Sequence, residues 1–197
     1  NETKGKTMIT EDRQYVSPLA KLLDANVRVY LACTGAGAGL QNALWSVPGC
    51  SSFFAGAEFP YAPSATERFL GFHPEKFCSV ETAIDLALES YSRACVQDGR
   101  VTAASPIGLG LTASVASLRL RLGEHHICVA VVTRLGAWAV EFSLEKGAGP
   151  DVRIVDGQLA DRLGLFLILR AAGVDVGYVS EEPAEEPADV LEQARRQ

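Results

Sequence analysis

The sequence has 197 residues, of which 48% are apolar and 21% charged, proportions typical of one globular domain rather than of a disordered chain. Its formal charge of −6 is concentrated at the C-terminus, because residues 180–197 hold six acidic residues against two arginines. A nucleic-acid groove needs clustered Lys and Arg, so the nearly neutral remainder argues against a nucleic-acid partner.

Targeting and redox signals predict a reduced, cytoplasmic protein without a bound metal. There is no run of 18 apolar residues to span a membrane, and the first 16 residues are too polar for a signal peptide. The five cysteines, at positions 33, 50, 78, 95 and 128, include no CxxC pair, which favours free thiols over disulfides or a zinc site. Adjacent His125 and His126 would face opposite sides of a strand and could not easily share a metal ion, so we predict no metal site. We also predict no cofactor and no membrane partner.

The N-terminal half predicts helices and strands in alternation. A first helix over 17–24 has Ser17 as its N-cap and Pro18 at its first position. β-Branched and aromatic residues predict a strand over 27–32, and glycines break the chain after it. Three further elements are predicted before residue 75: a helix over 40–47, a strand over 52–61 and a short helix over 64–70.

The C-terminal half opens with the most regular helical pattern of the chain. Ser79 is a good N-cap, apolar residues follow helical spacing to Ala94, and Asp98-Gly99 stops the pattern. Beyond it we predict a strand over 101–104, a loop over 105–110, an ambiguous segment over 112–122, a hairpin of strands 127–133 and 138–144, and an amphipathic helix over 155–172.

This order of elements predicts an α/β domain, a three-layer α/β/α arrangement with a mixed sheet. We assign residues 17–178 to that domain and residues 1–16 to an N-terminal extension. The acidic, Pro- and Glu-rich residues 179–197 are a tail or linker.

The turn between the first predicted strand and the next helix is the sharpest candidate site. Glycines let backbone amides approach a ligand, and a helix N-terminus attracts anions, so Thr34, Gly35, Gly37 and Gly39 would contact a phosphate or carboxylate. The segment does not match GxGxxG and no P-loop lysine follows. A tight structural turn is therefore the alternative.

Two side chains at this turn are candidate nucleophiles. Cys33 would need a base or a helix dipole to form a thiolate, so a buried, inert Cys33 is the alternative. Thr34 would donate to a bound anion or only cap the helix. A second glycine-containing loop, with Ser105 and Gly108 as ligand contacts, would converge on the same pocket if both loops end strands at one edge; a packed turn is the alternative.

Several motifs, in order, resemble the CinA C-terminal domain, the family of nicotinamide-nucleotide amidohydrolases. Family members have a strand ending Ala-Glu-Ser-Cys-Thr-Gly-Gly, a Pro-Gly-Ser-Ser turn, a Thr-Tyr-Ser-Asn strand and a helix ending Leu-Gly-Val. The similar segments here are 32–35, 47–54, 60–61, 69–72, 78–79, 105–108 and 152–172. The similarity covers about residues 17–173.

The resemblance implies a metal-independent deamidase of nicotinamide mononucleotide that forms homodimers or higher homo-oligomers. In the family, the serine before Cys-Thr-Gly attacks the amide, a lysine five residues after the motif tyrosine assists, and glycine-rich loops hold the phosphate. This chain keeps the tyrosine as Tyr61 but has Ala32 at the serine position and Thr66 at the lysine position. Loss of nucleophile and base together removes most of the rate in comparable systems.

Three hypotheses follow. The first is a catalytically degenerate CinA-like domain that binds a pyridine nucleotide or another small phosphorylated ligand, or acts as an assembly or regulatory module. The second is an active amidohydrolase that uses Cys33 or Thr34. The third is a protein-interaction scaffold that shares only the fold.

Overall fold

The computed structural model describes residues 18–97, 100–101, 103–120 and 122–176. The predicted extension, the Ser17 cap, the Asp98-Gly99 stop and the acidic tail lie outside these residues. The strands are β1 (Val27–Thr34), β2 (Phe54–Glu58), β3 (Val96–Gln97), β4 (Arg100–Val101), β5 (Ser105–Ser114), β6 (His126–Thr133) and β7 (Gly136–Ser143). The helices are α1 (Ala38–Trp45), α2 (Pro63–Leu70), α3 (Val80–Ala94) and α4 (Pro150–Ala171), with 3-10 turns at Lys21–Leu23 and Cys50–Ser52.

A five-stranded mixed sheet in the order β2-β1-β5-β6-β7 forms the centre of the domain. Strands β2, β1 and β5 run parallel, whereas β6 and β7 are antiparallel to their neighbours. Strands β3 and β4 form a separate two-stranded pair. The predicted mixed sheet is therefore confirmed.

The sheet separates two helical layers because successive side chains of a strand face opposite sides. On one side, Leu31 and Leu109 pack in a large apolar core that includes Leu40 of α1 and Ile168 of α4. On the other side, Ala83 of α3 packs with residues of β6 in a smaller core. The α/β/α layering is thus confirmed, with α1 and α4 on one face and α2 and α3 on the other.

The strongest local signals give the predicted helices and the hairpin. Ser79 caps α3, since the backbone N–H of Thr82 donates to its hydroxyl at 3.2 Å. Helix α2 ends at Gly71, which adopts the left-handed conformation (φ 82°) that glycine accommodates without strain. The hairpin of β6 and β7 is confirmed, with Thr133 paired to Gly136 at its turn.

Other predicted boundaries were wrong. The predicted loop over 105–110 is the first half of the central strand β5, and the predicted strand over 101–104 is limited to β4 and a bend. Helix α4 begins five residues before the predicted start, at Pro150, while β2 is shorter than the predicted 52–61. None of the helices in the described part of the chain has the combination of length and apolar sequence that a bilayer crossing needs.

Candidate functional site

The last residues of β1 alternate between the two faces of the sheet. Ala32 is completely buried and packs with Phe69 of α2 and Leu86 of α3. Cys33 faces the other side, where it joins the core shared with α1 and α4. The residue at the family's nucleophile position is therefore a methyl group enclosed by apolar side chains.

Cys33 is a core residue. Its side chain is 1% exposed, and burial, together with the nearby Asp161 carboxylate, raises the pKa of its thiol far above the usual range. A thiol in this state does not form the thiolate that nucleophilic chemistry requires. The burial of Cys33 favours the inert-cysteine alternative over a nucleophilic role.

The two positions that follow β2, Tyr61 and Thr66, differ sharply in exposure. Tyr61 is 69% exposed, whereas Thr66 is 1% exposed in the first half of α2. The Thr66 hydroxyl donates to the backbone carbonyl of Pro60 at 2.7 Å. The residue at the lysine position is therefore a threonine whose hydroxyl connects α2 to the chain at Pro60.

A cleft of about 280 Å³ lies beside this segment. It is lined by Glu58, Phe59, Pro60, Ala65, Arg68, Phe69 and Arg93. Arg93 is held in place by ion pairs to Glu58 and Glu89 and lies 4.3 Å from the centre of the Phe69 ring. None of the predicted site residues is among the residues that line the cleft.

The glycine turn after β1 is built for close backbone contacts. Gly35 (φ 83°) has no room for a Cβ atom, which would collide with the Ala113 carbonyl of β5, and Gly37 adopts φ 94° as the N-cap of α1. These positions need glycine for reasons of structure. The tight-turn alternative therefore accounts for them.

A carboxylate of the chain itself occupies the N-terminus of α1. The backbone N–H groups of Leu40 and Gly39 donate to Asp161 of α4, and a Cβ atom on Gly39 would collide with that carboxylate. Burial nevertheless raises the Asp161 pKa, and its Oδ1 atom is buried without a hydrogen-bond partner. The backbone amides at the N-terminus of α1, which were expected to bind a phosphate, therefore bind the side chain of Asp161 instead.

Helix α4 also fixes the chain after β5. Asp156 is buried and accepts a hydrogen bond from the backbone N–H of Ala116 at 2.9 Å. Arg153 donates to the Ala116 carbonyl at 2.9 Å and to the Gly35 carbonyl at 3.5 Å. The polar face of α4 thus connects the ends of β1 and β5.

The predicted convergence of two loops is wrong. Val27 pairs with Ser105 and Thr34 pairs with Thr112, so Ser105 and Thr34 lie at opposite ends of the parallel strand pair. Eight-residue strands place such ends more than about 20 Å apart. Gly108 is buried within β5, where a Cβ atom would collide with the backbone of α3 at Ala87.

A second group of reactive side chains lies at the end of β5 near Thr34, and the sequence analysis missed it. Cys78, His126 and Cys128 each direct one potential ligand atom to a common point, and these atoms all lie within 4.8 Å of one another. The Cys78 sulfur is 3.2 Å from Nε2 of His126. Cys128 is buried, and the other two side chains are half-buried.

Three elements bring this cluster together. Cys78 immediately precedes Ser79, the N-cap of α3, while His126 and Cys128 occupy alternate positions of β6. In the sheet register, Cys128 lies opposite Thr112, whose hydroxyl donates to the Phe77 carbonyl at 2.7 Å. This bond holds the residue before Cys78 against the sheet.

The two cysteines of the cluster shift each other's pKa in opposite directions. A hydrogen bond from Cys128 is the main cause that lowers the Cys78 pKa to about 6, and the nearby His126 contributes, against the effect of burial. The pKa of Cys128 is raised, because that thiol donates to the Cys78 sulfur and is desolvated. These opposite directions favour loss of the first proton from Cys78 rather than from Cys128.

The sequence analysis missed this cluster because it considered only CxxC spacing and the adjacent histidines. The His-x-Cys pair at 126–128 is a usable signal, since residues i and i+2 share a face of a strand. Cys78 is 48 residues from His126 in sequence, so no local pattern joins the two.

Solved structures with this architecture include CinA superfamily proteins. The protein from Enterobacter cloacae is 18% identical, with a TM-score of 0.61 over 87% of this chain and 98% of that chain. The Escherichia coli protein is 13% identical, with a TM-score of 0.61 over 83% and 94%. The competence/damage inducible protein CihA from Agrobacterium tumefaciens is 16% identical, with a TM-score of 0.60 over 83% and 99%.

The chain has the CinA fold. Neither a protein-family profile nor a curated protein sequence matches it. Likeness at these identities establishes the fold, and activity has to be argued from the residues. Within this CinA fold, Ala32 and Thr66 are packing residues. Cys78, His126 and Cys128 form a cluster of potential metal ligands.

Proposed function

We propose that this chain is a catalytically degenerate CinA-fold domain that acts as an assembly module rather than as a serine amidohydrolase. The observation that carries the proposal is the packing of Ala32 against Phe69 and Leu86. A methyl group supplies no lone pair, and the surrounding apolar side chains leave no room for a substrate amide beside it.

The lysine position supports the same conclusion. Thr66 is buried, and its hydroxyl is committed to the Pro60 carbonyl, so it cannot act as a base toward a group at Ala32. The serine and the lysine of the family are both absent, and their positions serve packing. This agrees with a domain that keeps the fold without the catalytic activity.

The pyridine-nucleotide alternative is weakened by Asp161. A nucleotide phosphate at the N-terminus of α1 would have to displace this carboxylate from the amides of Gly39 and Leu40, and the two anions would repel each other. We therefore expect nicotinamide mononucleotide to bind weakly or not at all at this turn.

Assembly is supported by the outer strand of the sheet. Strand β7 is an edge strand that exposes Trp138 (49%) and Val140 (40%), and α4 exposes Ile154 (57%) and Val155 (61%). Uncovered edges and apolar side chains of this kind are typical of surfaces that another chain covers. We propose a second copy of this chain as the partner, which gives a homodimer.

Ammonia release from nicotinamide mononucleotide tests the absence of the amidohydrolase activity. We expect no turnover above the uncatalysed rate, and no rise in melting temperature with the nucleotide, because a ligand must bind the folded state to stabilise it. Turnover by the wild-type chain would contradict the proposal. If Thr34→Val abolished that turnover while Thr133→Val, a control on another strand, did not, the hypothesis that Thr34 is the nucleophile would replace it.

A further inference from the structure

We propose that Cys78, His126 and Cys128 form a binding site for a single Zn²⁺ ion. The proposed site uses neither Ala32 nor Thr66. It does not depend on whether the chain hydrolyses amides or dimerises.

The geometry suits a tetrahedral ion. Zinc bound at about 2.3 Å from sulfur and about 2.0 Å from nitrogen needs a sulfur–sulfur separation of ~3.8 Å and a sulfur–nitrogen separation of ~3.5 Å. The three ligand atoms lie within 4.8 Å of one another, and the Cys78 sulfur is 3.2 Å from Nε2 of His126. Small side-chain rotations, without movement of the backbone, would therefore complete the coordination.

The donor atoms select the metal class. Two sulfurs and an imidazole nitrogen favour zinc, whereas magnesium and calcium require oxygen ligands. Two thiolates neutralise the charge of the ion, and a neutral imidazole adds none. Three protein ligands leave the fourth tetrahedral position for water or another small ligand.

The surroundings favour a cation at this point. Glu141 lies opposite Cys128 on β7, and Glu81 occupies the first turn of α3.

The scaffold that holds the ligands is rigid. His126 and Cys128 belong to β6, which is hydrogen-bonded on both sides, and Cys78 is fixed between the Ser79 cap and the Thr112–Phe77 bond. A site whose ligands are already in place loses little conformational entropy when the ion binds.

Metal titration of the reduced full chain tests the proposal directly. The chain is stripped with a chelator, kept reduced with a phosphine, and titrated with Zn²⁺ against a chromophoric competitor, then with Co²⁺ as a spectroscopic substitute. We expect one equivalent of Zn²⁺, and Co²⁺ spectra with a thiolate charge-transfer band and the strong ligand-field bands of four-coordination.

Variants assign the ligands. Cys78→Ser and His126→Gln alter half-buried side chains, and we expect each to weaken Zn²⁺ binding at least about tenfold and to change the Co²⁺ spectrum. Cys95→Ser and His73→Gln are the matched controls outside the cluster and should change neither. Circular dichroism of each metal-free variant separates loss of a ligand from loss of the fold.

Alkylation of the unmodified chain avoids the buried Cys128 position, where a substitution could disrupt packing. Zn²⁺ should protect the half-buried Cys78 from alkylation while Cys50 and Cys95 react as before. The proposal is wrong if the reduced chain binds no stoichiometric Zn²⁺, or if Cys78→Ser and His126→Gln leave binding unchanged. Formation of a Cys78–Cys128 disulfide by a chain that binds no zinc would identify a redox pair instead.

Discussion

A half-buried carboxylate, Asp161, ties α4 to the start of α1. It caps two backbone N–H groups as a helix N-cap side chain would, although it comes from another helix. Its other oxygen has no partner, which explains why burial outweighs these hydrogen bonds and raises its pKa. The residue therefore combines a structural role with an energetic cost when charged.

Asp161→Asn is expected to change the pH dependence of stability. A carboxyl whose pKa is raised on folding binds more protons in the folded state, so its contribution is greatest at low pH and is lost as pH rises through the folded pKa. Between about pH 4 and neutrality, the wild-type free energy of unfolding should fall relative to that of Asp161→Asn. Urea denaturation of both proteins across this range measures the difference. Asp161→Ala, which removes the cap, should be destabilised by about 1 kcal/mol, and a pH-independent difference for Asp161→Asn would refute the argument.

At the scale of elements, helix α3 lies directly against strand β5. A Cβ atom on Gly110 would collide with the Ala83 carbonyl and lie 2.8 Å from the Cβ atom of Leu86. We expect Gly110→Ala to destabilise the domain by about 1–3 kcal/mol, the usual cost of overpacking, because the backbone of α3 cannot yield as a flexible side chain would. Chemical denaturation measures the loss.

Gly157→Ala is the matched control for this prediction. Gly157 lies within α4 with no neighbouring atom inside 4 Å of a Cβ position, so alanine should stabilise the helix by up to about 1 kcal/mol. Equal effects of the two substitutions would show that glycine at position 110 does not serve the packing of α3.

The glycines of β5 also explain why the sequence analysis predicts a loop over 105–110 instead of a strand. Helix α3 has a serine cap and regular apolar spacing, and the hairpin also has a clear sequence pattern. The predicted bounds of both are therefore close to the observed ones. Strand β5 was predicted as a loop because Pro106, Gly108 and Gly110 are ordinary turn residues. Their role is tertiary: α3 lies directly on the strand, and only glycine admits its backbone.

The candidate sites divide in the same way. The alanine at position 32 and the threonine at position 66 are readable from the sequence once the motifs are aligned, but their packing partners are not. The cluster of Cys78 with His126 depends on how α3 crosses the sheet, which no spacing rule encodes. Local chemistry was therefore predictable at the family positions, and three-dimensional convergence was not.

At the scale of the whole molecule, the edge strand β7 would leave apolar side chains and unpaired backbone groups exposed to water in a monomer. In β7, Trp138 and Val140 lie opposite Val131 and Val129 of β6, on the side of the sheet that α4 covers. Their exposure means that α4 does not reach the edge. A second copy that pairs with this edge would bury both the apolar side chains and the free backbone groups.

Substitutions at this edge test the proposed homodimer. We expect the wild-type chain to sediment as a dimer and Trp138→Glu to raise the dissociation constant at least tenfold, about 1.4 kcal/mol, because a charge would be desolvated in the interface. Leu118→Lys is the control, since Leu118 is 86% exposed but lies outside the sheet. Sedimentation velocity over a range of concentrations measures both. A wild-type monomer at every concentration, or a dimer that Trp138→Glu leaves intact, would place the assembly surface elsewhere or remove it, and the exposed apolar edge would then require a different partner.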